Sequence, residues 1–408
     1  MGGRGEPSPQ SEVSIGRVLF QRNFFPYFLG NLISNSGTWF QSVAQVLFVY
    51  RLTGSLFMVG VVNFAQFAGM LIVTPVGGSY ADRFDRRKLL IRVNLATAAL
   101  AGLLALLTAM DLITLPILFT LVLLIGTAVA LITPTMQALI SALVPRHQLP
   151  KAIAMNGVTF QTARVLGPIL GALVVDRFGF AWAFSVNALS FVALAASVWA
   201  VHPITPQARA KGRPPMWEGL RVAREDRALA AVLSVGIAVS FAMDPLITTG
   251  AEFATEEFGR ADTLVGLLIA VYGAGAIVAA FTRSWEESTS PRRVGASVSM
   301  IAAGMVAFSL APTLAVALPV LFIAGYGHLS STAASLATVQ LAVPDEMRGR
   351  IMALWTITFL GMRPLASLLD GTLASVAGVR WAAAAMSVPA VLVAMLLFST
   401  NRGTREDG

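Results

Sequence analysis

The chain has 408 residues, of which 56% are hydrophobic and only 12% charged, with a formal net charge of +8. A soluble domain carries about 25% charged residues, so this composition excludes a water-soluble globule and points to a polytopic membrane protein. The basic residues sit in short segments between apolar runs, not on one face, which argues against nucleic-acid binding. The absence of cysteine excludes disulfides and thiolate chemistry, and three scattered histidines (His147, His202 and His328) offer no metal-ligand spacing.

In chain order, residues 1–22 are polar and rich in Gly, Pro and Ser, ending in a basic segment with Arg17 and Arg22. They read as a cytoplasmic tail, because the apolar stretch that follows is too long for a signal peptide and has no small-residue cleavage signature. Apolar windows then predict twelve spans, near 24–50, 57–80, 88–109, 113–142, 152–174, 180–201, 228–251, 263–283, 293–311, 315–341, 350–374 and 381–400. Runs of about 20 apolar residues cross a ~30 Å hydrocarbon core as helices. The Pro-rich, basic segment 202–227 divides the chain into six-helix bundles at 23–201 and 228–400; it reads as a cytoplasmic linker with a short interfacial helix near Trp217–Arg224, and 401–408 as a second tail. Loops on one side hold most of the cations, among them Arg83, Arg86, Arg87, Lys88, Arg146, Lys151, Arg292, Arg293 and Arg348, against Arg51, Arg177, Arg260 and Arg380 on the other. That bias predicts cytoplasmic termini.

The second half repeats the first. At an offset of 206, Val59-Gly60 falls on Val265-Gly266, Ala68-Gly69 on Ala274-Gly275, and Arg86-Arg87 on Arg292-Arg293. At an offset of 199, Gly126 falls on Gly325, Phe160 on Phe359, Arg164 on Arg363, and Trp182 on Trp381. Parallel repeats of this kind predict a substrate site at their interface near the midplane.

Span one carries a polar stripe at Asn31, Ser34, Asn35, Thr38, Gln41 and Gln45, spaced for one helical face. It suits either a hydrated cavity or polar contacts between helices; Gln66, Tyr272, Tyr326 and Trp355 are candidates for the same cavity. Amides, hydroxyls and aromatics with few fixed charges suit an amphipathic organic solute better than a simple ion. Four charges lie deep in spans: Arg164, Asp244, Arg363 and Asp370. A buried carboxylate can take up a proton from one side and release it to the other, so Asp244 or Asp370 is a candidate proton carrier, with Arg164 and Arg363 as counter-charges; fixed structural ion pairs are the alternative. Arg363 and Asp370 share one side of their helix, two turns apart.

The loop after span two reads G-G-S-Y-A-D-R-F-D-R-R-K, from Gly77 to Lys88. It resembles the loop signature of the major facilitator superfamily through Gly78, Asp82, Arg83, Arg86 and Arg87, with Asp85 in place of the usual glycine. The sequence from Asn31 through L-T-G-S (Leu52–Ser55) to A-D-R-F-D-R-R, ending at Arg87, and that of Thr133–Pro145 are similar to the branch of enterobactin and macrolide exporters. The resemblance implies an all-α fold of twelve transmembrane helices in two six-helix repeats, in a bacterial cytoplasmic membrane, with the loop Asp and Arg residues locking the halves in one end state. Span five contains A-R-V-L-G-P-I-L-G-A, in which Arg164, Gly167, Pro168 and Gly171 resemble the helix motif of antiporters; close helix packing alone would explain the small residues equally. The family's basic residue in span four is missing.

The expectation is therefore a secondary transporter, not an enzyme: a monomer exporting a drug-, antibiotic- or siderophore-like molecule against protons by alternating access. Uptake by the same fold and a non-transporting receptor are the alternatives. No cofactor or metal is expected, and neither HExxH, GxSxG nor a phosphate-binding G-x-x-x-x-G-K-[ST] loop is present.

Overall fold

The structure is a computed structural model and describes residues 18–81, 85–145, 148–202, 227–283, 291–342, 351, 354–355 and 357–403. Asp82 and Arg83 of the loop motif, most of the linker and most of both tails lie outside the described residues. The described chain is helical without strands. In order it forms α1 (Phe24–Thr53), α2 (Leu56–Ala81), α3 (Arg86–Ala109), α4 (Leu115–Leu143), α5 (Leu149–Phe178) and α6 (Phe180–Ala200). After the linker come α7 (Arg227–Thr248), α8 (Val265–Arg283), α9 (Pro291–Ser309), α10 (Leu314–Ala342), α11 (Arg363–Ala377), α12 (Val379–Met386) and α13 (Val388–Gly403). Only a turn at Ser387 separates α12 from α13, so these two make one rod.

Eight of the described helices are long and apolar enough, by length and composition, to cross a membrane. The others are less apolar for visible reasons. α1 carries its polar stripe, α9 opens with Arg292 and Arg293, and α11 contains Arg363 and Asp370. Such helices are tolerated where polar faces turn inward on neighbours. The outside is apolar: Trp182 and Trp381, paired by the repeat, are 62% and 72% exposed. Amphipathic rings at that position suit the boundary between lipid tails and headgroups.

Local chemistry explains several ends. Asp85 caps α3, its carboxylate accepting from the Lys88 backbone N–H at 3.0 Å, a contact that contributes about 1 kcal/mol. Arg87 donates through Nε to the Val198 carbonyl at 3.1 Å and also reaches the Trp199 carbonyl, binding the start of α3 to the end of α6. Gly54 ends α1 with φ of +61°, a left-handed conformation that L side chains avoid.

The repeat is visible as repeated packing. A Cβ on Gly126 of α4 would lie 1.9 Å from the Gln66 carbonyl oxygen of α2, and one on Gly325 of α10 would lie 1.8 Å from the Tyr272 carbonyl oxygen of α8. Those two contacts are related by the offsets found in the sequence. In lipid there is little hydrophobic force between helices, so close backbone approach through small residues takes its place.

Two further seams join the halves. α2 packs on α11, where a Cβ on Gly60 would meet the Ser367 carbonyl oxygen at 2.5 Å; α5 packs on α8, where a Cβ on Gly266 would meet the Pro168 carbonyl oxygen at 2.9 Å. Both seams lie toward the end of the bundle that holds the α1–α2 turn. At that end Arg51 also grips Asp262 with both nitrogens, Nε at 2.7 Å and Nη2 at 2.8 Å, tying α1 to the segment before α8.

Candidate transport pathway

The antiporter-like motif of α5 packs on two helices at once. Gly167 and Gly171 face the α1 backbone, where their Cβ positions would fall 2.6 Å from the Trp39 Cβ and 2.8 Å from the Phe40 carbonyl oxygen. Pro168 and Ala172 face Gly266 across the seam. Gly78 lies in α2, near its end.

Arg164, on the same helix, reaches into the other half. Its Nη1 lies 2.9 Å from His328 Nε2, its Nη2 touches the Met243 sulfur, and its guanidinium stands over the rings of Trp39 at 5.8 Å and Tyr272 at 5.6 Å. The Tyr272 hydroxyl lies 2.9 Å from His328 Nδ1. Arg363, its partner by the repeat, stands over Trp39 at 5.7 Å and Phe67 at 5.3 Å and reaches the same Met243 sulfur at 3.8 Å. Both arginines are buried, 3% and 7% exposed. Among the described residues, no carboxylate oxygen comes within ion-pairing distance of either.

Arg363 owes its place to a break in the helix. A π-helical turn, Ile357–Gly361, precedes α11, and Gly236 of α7 fits against it, a Cβ there meeting the Phe359 backbone nitrogen at 2.9 Å. The Ser240 hydroxyl donates to the Phe359 carbonyl, and the Trp355 and Phe359 rings stack with 6.2 Å between centroids. Single π turns frequently occur at functional positions in helices.

Immediately after Met243 the carboxylates begin, with Asp244. Asp244 accepts from the Thr248 hydroxyl at 2.7 Å and the Ser367 hydroxyl at 2.9 Å; Asp370 accepts from the Thr249 hydroxyl at 3.1 Å through Oδ2, while Oδ1 is buried with no hydrogen-bond partner among the described residues. From Asp244 a polar chain crosses into the N-terminal half. The Asn63 amide donates to Thr248 at 3.1 Å, Gln45 lies 3.4 Å from Asn63 and donates to Gln66 at 2.9 Å, and Gln66 donates to Ser42 at 3.0 Å.

The stripe of α1 therefore divides among neighbours. Asn31 donates to Asn156 at 2.7 Å and Thr159 at 3.0 Å on α5, and receives Asn35 at 3.0 Å. Gln41 accepts from Asn187 on α6, and Thr38 donates to the Ser34 carbonyl at 2.9 Å. Asn35, Thr38, Gln66 and Tyr326 are half-buried, with the Tyr326 hydroxyl 3.0 Å from that of Thr282. The sequence reading did not single out Met243, His328, Trp39, Phe67, Asn63 or Ser367 as parts of this region. The repeat offered one clue, since pairing Arg164 with Arg363 focuses attention on what lies between them.

Over residues 18–407 the sequence matches the family described as transmembrane secretion effector. The chain belongs to that family. Its members lie within the major facilitator superfamily, so this secretion effector chain is a multi-pass membrane transporter, not an enzyme. It is 26% identical over 343 residues to enterobactin exporter EntS of Salmonella typhimurium, covering 82% of this chain and 81% of that one. It is 25% identical over 232 residues to macrolide efflux protein A of Streptococcus pyogenes, covering 55% of this chain and only 56% of the relative. The fold superposes on a bacterial homologue of the human lysosomal transporter Spinster, solved inward-facing and unoccupied, with a TM-score of 0.77 at 16% identity over 97% of this chain and 99% of that chain. A POT family transporter, PepTSo, gives 0.68 at 14% identity over 94% and 99%.

Proposed function

We propose that this chain is a proton-coupled exporter of a small amphipathic organic molecule, acting as a monomer in a bacterial cytoplasmic membrane with both termini inside. The relatives' roles in macrolide efflux and enterobactin export favour export over uptake. The observation that carries the reading is the pair of buried carboxylates at the contact between halves. Asp244 and Asp370 have only hydroxyl hydrogen-bond partners among the described residues. A carboxyl held by hydroxyls alone, with no ion-paired cation, can exist with or without its proton, which a coupling group requires. The polar chain through Thr248, Asn63, Gln45 and Gln66 links that group to the opposite half.

Where the halves pack supports alternating access. With the termini inside, the seams at Gly60 and Gly266 and the Arg51–Asp262 pair close the outer end, an inward-facing arrangement. Export then requires these seams to part while the loop with Asp82 and Arg83 locks the inner end. The half-buried Asn35, Thr38 and Gln66 of the N-terminal half and Tyr326 of the C-terminal half are the polar side chains along which solute passes, and the Pro168–Ala172 surface of α5, packed on Gly266 of α8, is the contact between halves that must move.

The test is proton movement in proteoliposomes under an imposed pH gradient, screening siderophores, macrolides and cationic dyes on wild type, Asp244→Asn and Asp370→Asn. Substrate-dependent proton flux lost in one variant is the expected result. Solute flux indifferent to the gradient would discard proton coupling, and accumulation of solute against export would reverse the direction.

A further inference from the structure

We propose that Arg164 and Arg363 together bind an anionic group on the transported molecule, making the substrate class an organic anion with an aromatic or apolar body. This deepens the transport reading and rests on it. The geometry is a two-sided clamp. Arg164 comes from α5 and Arg363 from α11, related by the internal repeat, and both converge on Trp39 and Met243.

The argument is one of charge. A guanidinium does not lose its proton in proteins, and a buried cation without a counter-ion is costly, more so when a second cation faces it. The compensation present is weak: aromatic faces, an imidazole and a thioether. Asp244 is close enough to attract Arg363 through space. Both its oxygens, however, accept from Thr248 and Ser367. Asp370 turns to Thr249. Two forked donors from opposite halves, sharing one soft sulfur acceptor, match the planar oxygens of a carboxylate or the oxygens of a phosphate or sulfonate.

Met243 occupies the place of the anion. Its unbranched side chain adapts readily, so it can turn aside and surrender two guanidiniums to a better acceptor. Trp39, Tyr272 and Phe67 then flank the bound group and give its apolar body a surface to lie on. Because one arginine belongs to each half, an anion between them bonds to both and is sensitive to their separation, as a midplane site between repeats should be.

The test is equilibrium binding, without any gradient, to the full chain in phosphatidylcholine nanodiscs. Three probes share one ring system: naphthoate, naphthamide and naphthylmethylammonium. Naphthoate is expected to bind at least about tenfold more tightly than the others, the loss expected on deleting one charge-assisted hydrogen bond. Arg164→Gln and Arg363→Gln should each abolish that preference, while the lysine variants keep part of it because they retain the charge and lose only the fork, separating charge from packing. Met243→Leu keeps the volume but removes the competing sulfur, and should tighten naphthoate binding, a gain that misfolding cannot mimic. Equal binding of the three probes, absence of binding, or a preference that survives both glutamine variants overturns the proposal. Displacement of naphthoate by phosphatidylglycerol in the discs would support the same anion site and identify a lipid headgroup as its occupant. Since binding is read without a gradient, a failure of proton coupling leaves this result standing, and gradient-driven flux with charge-blind binding rejects the anion site alone.

Discussion

The seam between α2 and α11 should control which end of the bundle is closed, and one added methyl group can test it. In Gly60→Ala the new Cβ would fall 2.5 Å from the Ser367 carbonyl oxygen and 3.3 Å from the Gly371 Cα. Both obstacles are backbone, so no rotamer change relieves them; the helices must separate. Overpacking of this kind costs about 1–3 kcal/mol, and at 1.4 kcal/mol per factor of ten the closed arrangement of this end should lose roughly five- to 150-fold in population. The chain has no cysteine, which permits spin labels at Leu52→Cys and Ala261→Cys, two exposed positions on opposite halves, without background. Distances measured by pulsed electron resonance should lengthen in Gly60→Ala. Gly102→Ala is the control, because nothing lies within 4 Å of its added Cβ. If Gly60→Ala gives the distance distribution of wild type and of the control, the seam does not hold this end shut, and the gating role given to it is wrong.

The ion pair at the same end should matter less. Arg51 is 44% exposed and Asp262 13%, so Arg51→Ala should shift the same distances by at most about 1 kcal/mol, with the effect shrinking in high salt and reversed by the double charge swap. Asp85→Ala removes the cap on α3 and should lower thermal stability by about 1 kcal/mol, measured as a fall in melting temperature that Asp85→Asn largely avoids. Glu252, just past α7, is held up at about 7 by burial and by Glu256 beside it, and its Oε2 is buried with no hydrogen-bond partner among the described residues. The folded state therefore binds more protons than the unfolded chain between the ordinary glutamate range and about 7, so stability should fall as pH rises through that window. Melting curves of wild type should show this slope and Glu252→Gln should flatten it; an unchanged slope would remove Glu252 as its source.

The rods of the fold were legible because each of their determinants is local. A run of apolar residues, a terminal glycine at Gly54 and an acidic cap at Asp85 act within a few positions of themselves. The repeat was legible for a similar reason: two halves under the same packing constraint keep Gly126 and Gly325 where α4 and α10 must touch α2 and α8. The helices that sequence hydropathy describes least well are those carrying polar faces. Counting the residues of α1 or α11 does not reveal which neighbour accepts each amide or hydroxyl.

The site was legible in its charges and not in their partners, and the reason is geometric. Arg164, Asp244, Arg363 and Asp370 stand out because charge within an apolar run has no lipid-facing explanation. The same logic suggests that opposite charges pair, yet contact is fixed by the crossing of helices and the side from which each chain enters. Arg164 meets a histidine, a methionine and two rings, while Asp244 meets two hydroxyls, one on its own helix and one on α11. This separation of cations from carboxylates is what the proposed mechanism uses. Had each arginine closed on an aspartate, a bound anion would compete with a permanent partner and a proton with a permanent cation. Kept apart, as the proposed mechanism requires, the arginines would be open to the charge of a solute and the carboxylates to a proton, with Met243 and Asp244 consecutive in α7.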